Sequence, residues 1–402
     1  MPFDIQNLRP KRVALFSGNY NYVMDGPVRA LNNLVGFLEE QGIEVLVFAP
    51  TADEPAFEHK GTLISVPSFA LPGRSEYRVA AGLPRSIKKI LRDFDPQLIH
   101  LAAPDLLGCG ALKWAQKNRV PAVSSFHTRF DTYPRYYHLG WLEPVVTAFM
   151  RRFYNKCEQV YVPSDCMRNI LNAQNMAHDI RIWTRGVDAR LFSPGKRDMA
   201  WRKSLGIQEN DMVITFVGRL VLEKGLDVFA DTLNELRKRG VPFKALVVGE
   251  GPERDYFAKR LKDGHFCGYL QGEDLARAYA SSDIFFNTSI TETFGNVTLE
   301  AMCSGVPAVC ADASGSRSLV TSGETGYLVE PGNAHAFADK LETLISDPTL
   351  RTAMAKASMQ ASAKYSWNAV LTNLLEQYEE ALTRYWNRRP HVTVRRDTHL
   401  AK

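Results

Sequence analysis

The sequence predicts an α/β protein built from two doubly wound parallel sheets. Three observations carry that expectation. Short, nearly continuous apolar runs alternate with amphipathic segments along almost the whole chain, the pattern of strands covered by helices on both faces. The alternation restarts after a turn-rich stretch, Gly186-Val187-Asp188 to Phe192-Ser193-Pro194-Gly195. The 402 residues, at roughly 100–200 per domain, are enough for two cores. The expected domains are residues 1–190 and 191–369, followed by a loose basic tail at 390–402.

Each element has its own signal. Val13–Ser17 reads as the first strand, and Pro27 to Glu40 as a helix opened by a proline. Further strands are expected at Glu44–Ala49, Leu63–Pro67, Leu98–Ala102, Ala122–Phe126 and Gln159–Val162. Helical patterns at Ile87–Phe94, Asp105–Gln116, Leu142–Lys156 and Met167–Gln174 separate several of them. The second series runs Val213–Val217 (strand), Leu226–Arg239 (helix) and Ala245–Val248 (strand). It continues through Tyr256–Leu261, Leu275–Ser281, Ile284–Phe286, Phe294–Cys303 and Ala308–Ala311, and Ala334 to about Arg389 reads as helical.

Composition narrows the function classes. Hydrophobic residues make up 45% and charged residues 23%, which excludes a disordered or collagen-like chain. No apolar run reaches the roughly 18–20 residues that span a bilayer, and no secretory signal follows Met1. Six cysteines, none in a C-x-x-C pair, argue for a reduced, cytoplasmic protein without a disulfide frame or zinc site. A net charge of +5 is too small to imply nucleic acid.

Open parallel sheets bind ligands beyond the carboxyl ends of their strands, so the strand-to-helix turns hold the candidates. In the first domain, Asp25-Gly26-Pro27 lets a phosphate approach the N–H groups of a helix start, though the same residues also suit a plain turn. In the second, Gly218-Arg219-Leu220-Val221-Leu222-Glu223-Lys224-Gly225 puts two cations in one mobile turn. Arg219 as a fork and Lys224 as a point charge can grip a diphosphate. The segment Thr291-Glu292-Thr293-Phe294-Gly295-Asn296-Val297-Thr298-Leu299-Glu300 then places Glu292 just ahead of a helix, where it can accept from sugar hydroxyls. The N–H groups around Gly295 and Asn296 suit a phosphate oxygen, and the two oxygens of Glu300 can take both hydroxyls of a ribose.

Glu292 to Glu300 resembles the E-x7-E motif of retaining family 4 glycosyltransferases, which have the two-domain GT-B fold. Gly218–Gly225 is similar to their G-R-L-x-x-x-K-G turn, and Gly249-Glu250-Gly251-Pro252 to a glycine-rich strand end. Gly305-Val306-Pro307 and Gly326 to Pro331 match two further signatures. The resemblance implies two Rossmann-like domains facing a central cleft, with the terminal helix at about 370–389 packing back on the first. It implies a donor site of Gly26, Arg219, Lys224, Tyr269, Glu292, Phe294, Gly295, Asn296, Val297 and Glu300. Within it Arg219, Lys224, Glu292 and His127 act at the reaction centre, and the stretch around Tyr269 meets the nucleobase. The implied reaction moves a hexose or hexuronic acid from a UDP-sugar or GDP-mannose, with no metal and no other cofactor. The first-loop glycine pair of the family is Asp25-Gly26 here.

The acceptor falls to the first domain. Tyr133–His138, Trp141 and Arg151-Arg152 lie near His127, and Ile87-Lys88-Lys89-Ile90-Leu91-Arg92 is a basic amphipathic helix. Such faces suit an anionic membrane surface and a lipid acceptor, on a protein peripheral to the inner face of the membrane. A solvated helix with an ordinary core face accounts for them equally well. A soluble or polysaccharide-precursor acceptor, a nucleotide-sugar 2-epimerase and a non-catalytic nucleotide-sugar binder are the alternatives. Asp93-Phe94-Asp95 spells a D-x-D metal motif, but at a helix end before Pro96. Gly315-Ser316 lacks the context of a hydrolase nucleophile.

Overall fold

The structure, a computed structural model, describes residues 8–23, 26–52, 54–71, 74–127 and 140–389. The chain divides into two compact units. One comprises Met1–Val162, Arg168–Trp183 and Leu371–Lys402, the other Pro163–Met167 and Thr184–Val370. The turn-rich stretch alone suggests a joint near residue 190. The division falls earlier because Val187 bridges to Ser366 and Gly186 packs against the Trp367 ring, both within the second unit.

The first unit carries a seven-stranded sheet in the order β3-β2-β1-β6-β7-β8-β9. These strands are Arg12–Phe16 (β1), Glu44–Ala49 (β2), Thr62–Ser65 (β3), Leu98–Leu101 (β6), Ala122–Ser125 (β7), Val160–Val162 (β8) and Ile180–Ile182 (β9). Every pairing is parallel. An antiparallel hairpin, Ser68–Leu71 (β4) with Arg74–Ala80 (β5), stands apart. The second unit carries a parallel sheet ordered β12-β11-β10-β13-β14-β15. Its strands are Val213–Val217 (β10), Lys244–Val248 (β11), Gly264–Phe266 (β12), Ile284–Asn287 (β13), Ala308–Ala311 (β14) and Gly326–Val329 (β15).

The apolar runs have a direct physical use. Along β10, Val213 and Val217 enter one buried cluster while Ile214 and Phe216 enter the other. Leu246 and Val248 on β11 alternate with Ala245 and Val247 in the same way. Both faces of the sheet are therefore core, and its central strands are apolar at nearly every position. At roughly 1.5–3 kcal/mol per fully buried large side chain, these faces dominate the stability of the unit. The helical end is three helices, Ala334–Ser346, Pro348–Ser362 and Trp367–Asn387. Pro348 enforces the first break, because it has no N–H to continue the preceding helix.

Both sheets reverse direction of growth beside one strand, β1 in the first and β10 in the second. The loops after β10 and its neighbour β13 therefore emerge side by side, since the two strands are paired.

Candidate functional site

Those adjacent loops hold the two charged motifs. The loop after β10 is anchored rather than mobile. Gly218 N–H donates to Val248 O (3.0 Å), Leu220 N–H to Glu250 O (2.9 Å) and Glu253 N–H to Leu220 O (3.1 Å). Gly249 makes this approach possible: a Cβ there would sit 1.9 Å from Gly218 O. The loop after β13 grips the first from the other side, with Thr288 Oγ1 donating to Gly225 O at 2.9 Å and Lys224 O at 3.2 Å. Sequence reasoning assigned Thr288 no role, although a threonine closing a strand before a loop is the available signal.

The consequence is a direct contact between two predicted site residues. Lys224 Nζ donates to Glu292 Oε1 at 3.0 Å, with the side chains 25% and 14% exposed. The pair is half-buried, so its attraction exceeds that of a surface ion pair. Arg219, at the start of the turn, is exposed, and its guanidinium makes no hydrogen bond or ion pair among the described residues. One cation is thus held in place by a carboxylate and the other stands in solvent.

Glu292 is fixed through its backbone, whose carbonyl accepts from Ser314 Oγ at 3.1 Å. Gly315-Ser316 belongs to this support, in the short helix Ser314–Arg317 that packs on Glu292. Gly295 caps the next helix, Asn296–Cys303, in the left-handed region at φ +96°. A Cβ there would lie 3.2 Å from Glu292 Oε2, so glycine fits both the backbone and the carboxylate. The sequence placed the helix start near Phe294. It falls two residues later because Gly295 turns the chain.

The first turn of this helix offers the N–H groups that no helix can satisfy internally. Beside them the buried Asn296 Oδ1 has no hydrogen-bond partner among the described residues. Glu300, one turn on, is only 7% exposed, and its Oε2 accepts from Tyr279 Oη at 3.1 Å. Oε2 thus has a protein donor from the Gly272–Ala280 helix and keeps a second lone pair, so both oxygens retain acceptor capacity. Burial of a carboxylate is costly without such partners, which separates Glu300 from a glutamate on a solvated face.

The other predicted residues divide. Phe294 is buried, its ring edge-on to Tyr365 with centroids 5.7 Å apart, so only its backbone is offered to a ligand. Val297 is half-buried against the same core. Tyr269 is 62% exposed on the loop after β12. Gly26 begins the first helix, Gly26–Glu40, while Asp25 lies outside the described residues. His127 follows β7 in the first unit, its Nε2 2.8 Å from Ser125 Oγ and its ring edge-on to Trp183. The aromatic segment Tyr133–His138 lies outside the described residues.

Asp93-Phe94-Asp95 is a helix end. Asp95 is the left-handed C-cap of Arg85–Phe94 at φ +50°, and its carboxylate meets Arg12 at 3.3 Å. Among the described residues no three His, Cys, Asp or Glu side chains cluster as a metal site would require.

Comparison with known proteins agrees with this geometry. Residues 24–191 match the model of glycosyltransferase family 4, and residues 198–361 that of the group 1 glycosyl transferases. The chain is 33% identical over 397 residues to a sulfoquinovosyl transferase of Arabidopsis thaliana, covering 96% of this chain and 76% of the relative. It is 31% identical over 379 residues to a GDP-mannose-dependent alpha-mannosyltransferase of Corynebacterium glutamicum, covering 93% and 90%. The sucrose-phosphate synthase of Thermosynechococcus elongatus superposes with a TM-score of 0.76 at 20% identity, over 93% of this chain and all of that one. With two parallel-sheet units of the GT-B class and both family regions in order, the chain belongs to the family 4 glycosyltransferases.

Proposed function

We propose that this glycosyltransferase moves a hexose or hexuronic acid, with retention at the anomeric carbon, from a UDP-sugar or GDP-mannose to a lipid hydroxyl. The observation that carries the donor half is the Lys224–Glu292 pair at the junction of β10 and β13. It sits beside the N-terminus of the Asn296–Cys303 helix, with the buried Glu300 one turn on. Arg219, Lys224 and the helix N-terminus offset the charge that grows on the departing diphosphate. Glu292 accepts from sugar hydroxyls, the N–H groups around Gly295 and Asn296 meet a phosphate oxygen, and Glu300 accepts from the ribose. His127 orients the sugar. The anomeric carbon–diphosphate bond breaks as the acceptor oxygen bonds the same carbon on the same face. The acceptor proton passes to the departing diphosphate oxygen.

The acceptor half is supported by the surface of the first unit. Val145 and Phe149, four residues apart on the Glu143–Tyr154 helix, are 63% and 48% exposed, and Trp141, in the short turn Gly140–Leu142 just ahead of it, is 72% exposed. Lys88 and Arg92 of Arg85–Phe94 share a cavity of about 450 Å³ with Lys113 and Lys117 of Leu106–Asn118, floored by Leu83 and Trp114. None of these four cations has a carboxylate partner among the described residues. Unpaired cations around an apolar floor suit an anionic membrane surface and a peripheral enzyme. No helix among the described residues is long and apolar enough to cross a membrane.

Incubation with UDP-glucose or GDP-mannose, a diacylglycerol-type acceptor and EDTA tests the reading. The expected outcome is a glycolipid whose anomeric configuration, read by NMR, matches that of the donor. Inversion, or turnover restored only by Mn²⁺ or Mg²⁺, contradicts it. Conversion of the donor sugar to its epimer without acceptor replaces it with epimerisation.

A further inference from the structure

His127 is the visible end of a chain of buried polar groups. Behind it stands Ser125, whose Oγ is 2.8 Å from His127 Nε2 and 2.9 Å from His100 Nε2. His100 Nδ1 in turn is hydrogen-bonded to Tyr378 Oη. Ser125 and His100 come from neighbouring strands, β7 and β6, while Tyr378 comes from the terminal helix Trp367–Asn387. All three are at most 1% exposed, and Trp183 lies edge-on to both His100 and His127, with centroids at 5.7 and 5.5 Å. A run of four polar side chains through an apolar interior carries a desolvation cost at every member, so each proton must find an acceptor.

That requirement fixes the direction of the chain. Burial pushes the His100 imidazole down to about 3, so it is neutral, with one N–H and one lone pair. Tyr378 Oη has no hydrogen-bond partner other than His100 Nδ1 among the described residues, so its O–H can point only there. His100 then carries its proton on Nε2 and donates to Ser125 Oγ, and the Ser125 O–H points at His127 Nε2. Running the chain the other way leaves the buried Tyr378 O–H without an acceptor. Having both histidines donate to Ser125 leaves the serine proton without one. Only the first arrangement satisfies every member.

We propose that Tyr378, His100 and Ser125 are positioning residues that hold His127 in its Nδ1–H tautomer, so that Nε2 faces the interior as an acceptor and Nδ1 carries the proton. The terminal helix thereby sets the protonation pattern of a residue more than two hundred positions earlier in the chain. The consequence for transfer rests on the reading of His127 given above. The tautomer itself does not, and the experiment keeps the two apart.

The measurement is ring ¹⁵N NMR of the full-length protein labelled at histidine, with the His127 signals assigned from a His127→Gln spectrum. Wild type is expected to show Nδ1 protonated and Nε2 as acceptor. Ser125→Ala moves proton occupancy toward Nε2, Ser125→Thr restores the wild-type pattern, and Tyr378→Phe weakens the preference. Melting curves of each variant establish that it is folded. Nε2–H in wild type, or an unchanged pattern in folded Ser125→Ala, overturns the proposal. In parallel, Ser125→Ala is expected to lower kcat about tenfold with little change in donor KM, and Ser125→Thr to recover it. A tautomer that moves with no loss of kcat upholds the relay and overturns the role given to His127.

Discussion

The polar groups that mark the candidate site of the second unit differ in kind from those singled out in the first. In the second, carboxylates are drawn inward and paired: Glu292 with Lys224 and Glu300 with Tyr279. In the first, a neutral chain of His100, Ser125 and Tyr378 runs through the interior, and the surface cations Lys88, Arg92, Lys113 and Lys117 have no carboxylate partner among the described residues. A buried, paired charge is fixed in position and expensive to disturb. A solvated cation is cheap to hold and free to meet an external anion. The proposed function accordingly asks one defined ligand geometry of the second unit and a tolerant encounter with a charged surface of the first.

The largest expected effect comes from breaking the paired side. Glu292→Gln and Lys224→Ala should each lower transfer about 10²–10³-fold, the usual range for groups that stabilise charge in the transition state. Initial rates at saturating donor, with melting curves to confirm folding, measure this. Near wild-type turnover in either variant would make the pair a structural contact only.

The neutral interior of the first unit gives the next effect, on stability. The His100 pKa lies at about 3 in the folded chain, against an ordinary 6.5. Between those values the unfolded chain binds a proton that the folded chain refuses, so stability is full above about pH 6.5 and falls as pH drops toward 3. For this group alone the loss between pH 7 and pH 5 is about 2 kcal/mol. Urea unfolding at both pH values should show a smaller loss for His100→Gln than for wild type. An equal loss in the two proteins would mean that His100 is accessible to protons.

Tyr279→Phe sharpens the paired side more gently. It removes one donor from a buried carboxylate, and a hydrogen bond to a charged group is worth about 1.5–3 kcal/mol. Titration calorimetry should find nucleoside diphosphate binding weakened about tenfold, with turnover at saturating donor little changed. On the solvated side, Lys113→Ala should lower partition onto anionic vesicles only about fivefold, since each cation is worth roughly 1 kcal/mol, and high salt should erase the difference. Unequal binding that persisted in high salt would point to the exposed Trp141, Val145 and Phe149 instead.

The same contrast decides what could be read before any coordinates. Strands such as β10 and β14 carry their own evidence, because burial on both faces makes nearly every residue apolar, Thr215 in β10 being the exception. The edge strands β9 and β12 are three residues long and half-buried throughout, and His265 interrupts the second, so neither stands out as an apolar run. The hairpin strand β5, with Arg74, Glu76 and Arg78, is too polar to show itself. At the site, Lys224, Glu292 and Glu300 were legible because their chemistry is carried by short local spacings. Their contacts were not, since Thr288, Ser314 and Tyr279 reach them from other elements. The chain behind His127 was hidden for the same reason: Tyr378 lies 278 residues beyond His100.

The central claim is that Lys224, held by Glu292, receives the diphosphate of the donor. Thermal shift with UDP and GDP, each against its parent nucleoside, tests it most directly, because a ligand bound only by the folded chain raises its Tm. In wild type the matching diphosphate should raise Tm well above its nucleoside. In Lys224→Ala that excess should disappear while the nucleoside shift remains. An undiminished diphosphate shift in Lys224→Ala would contradict the account.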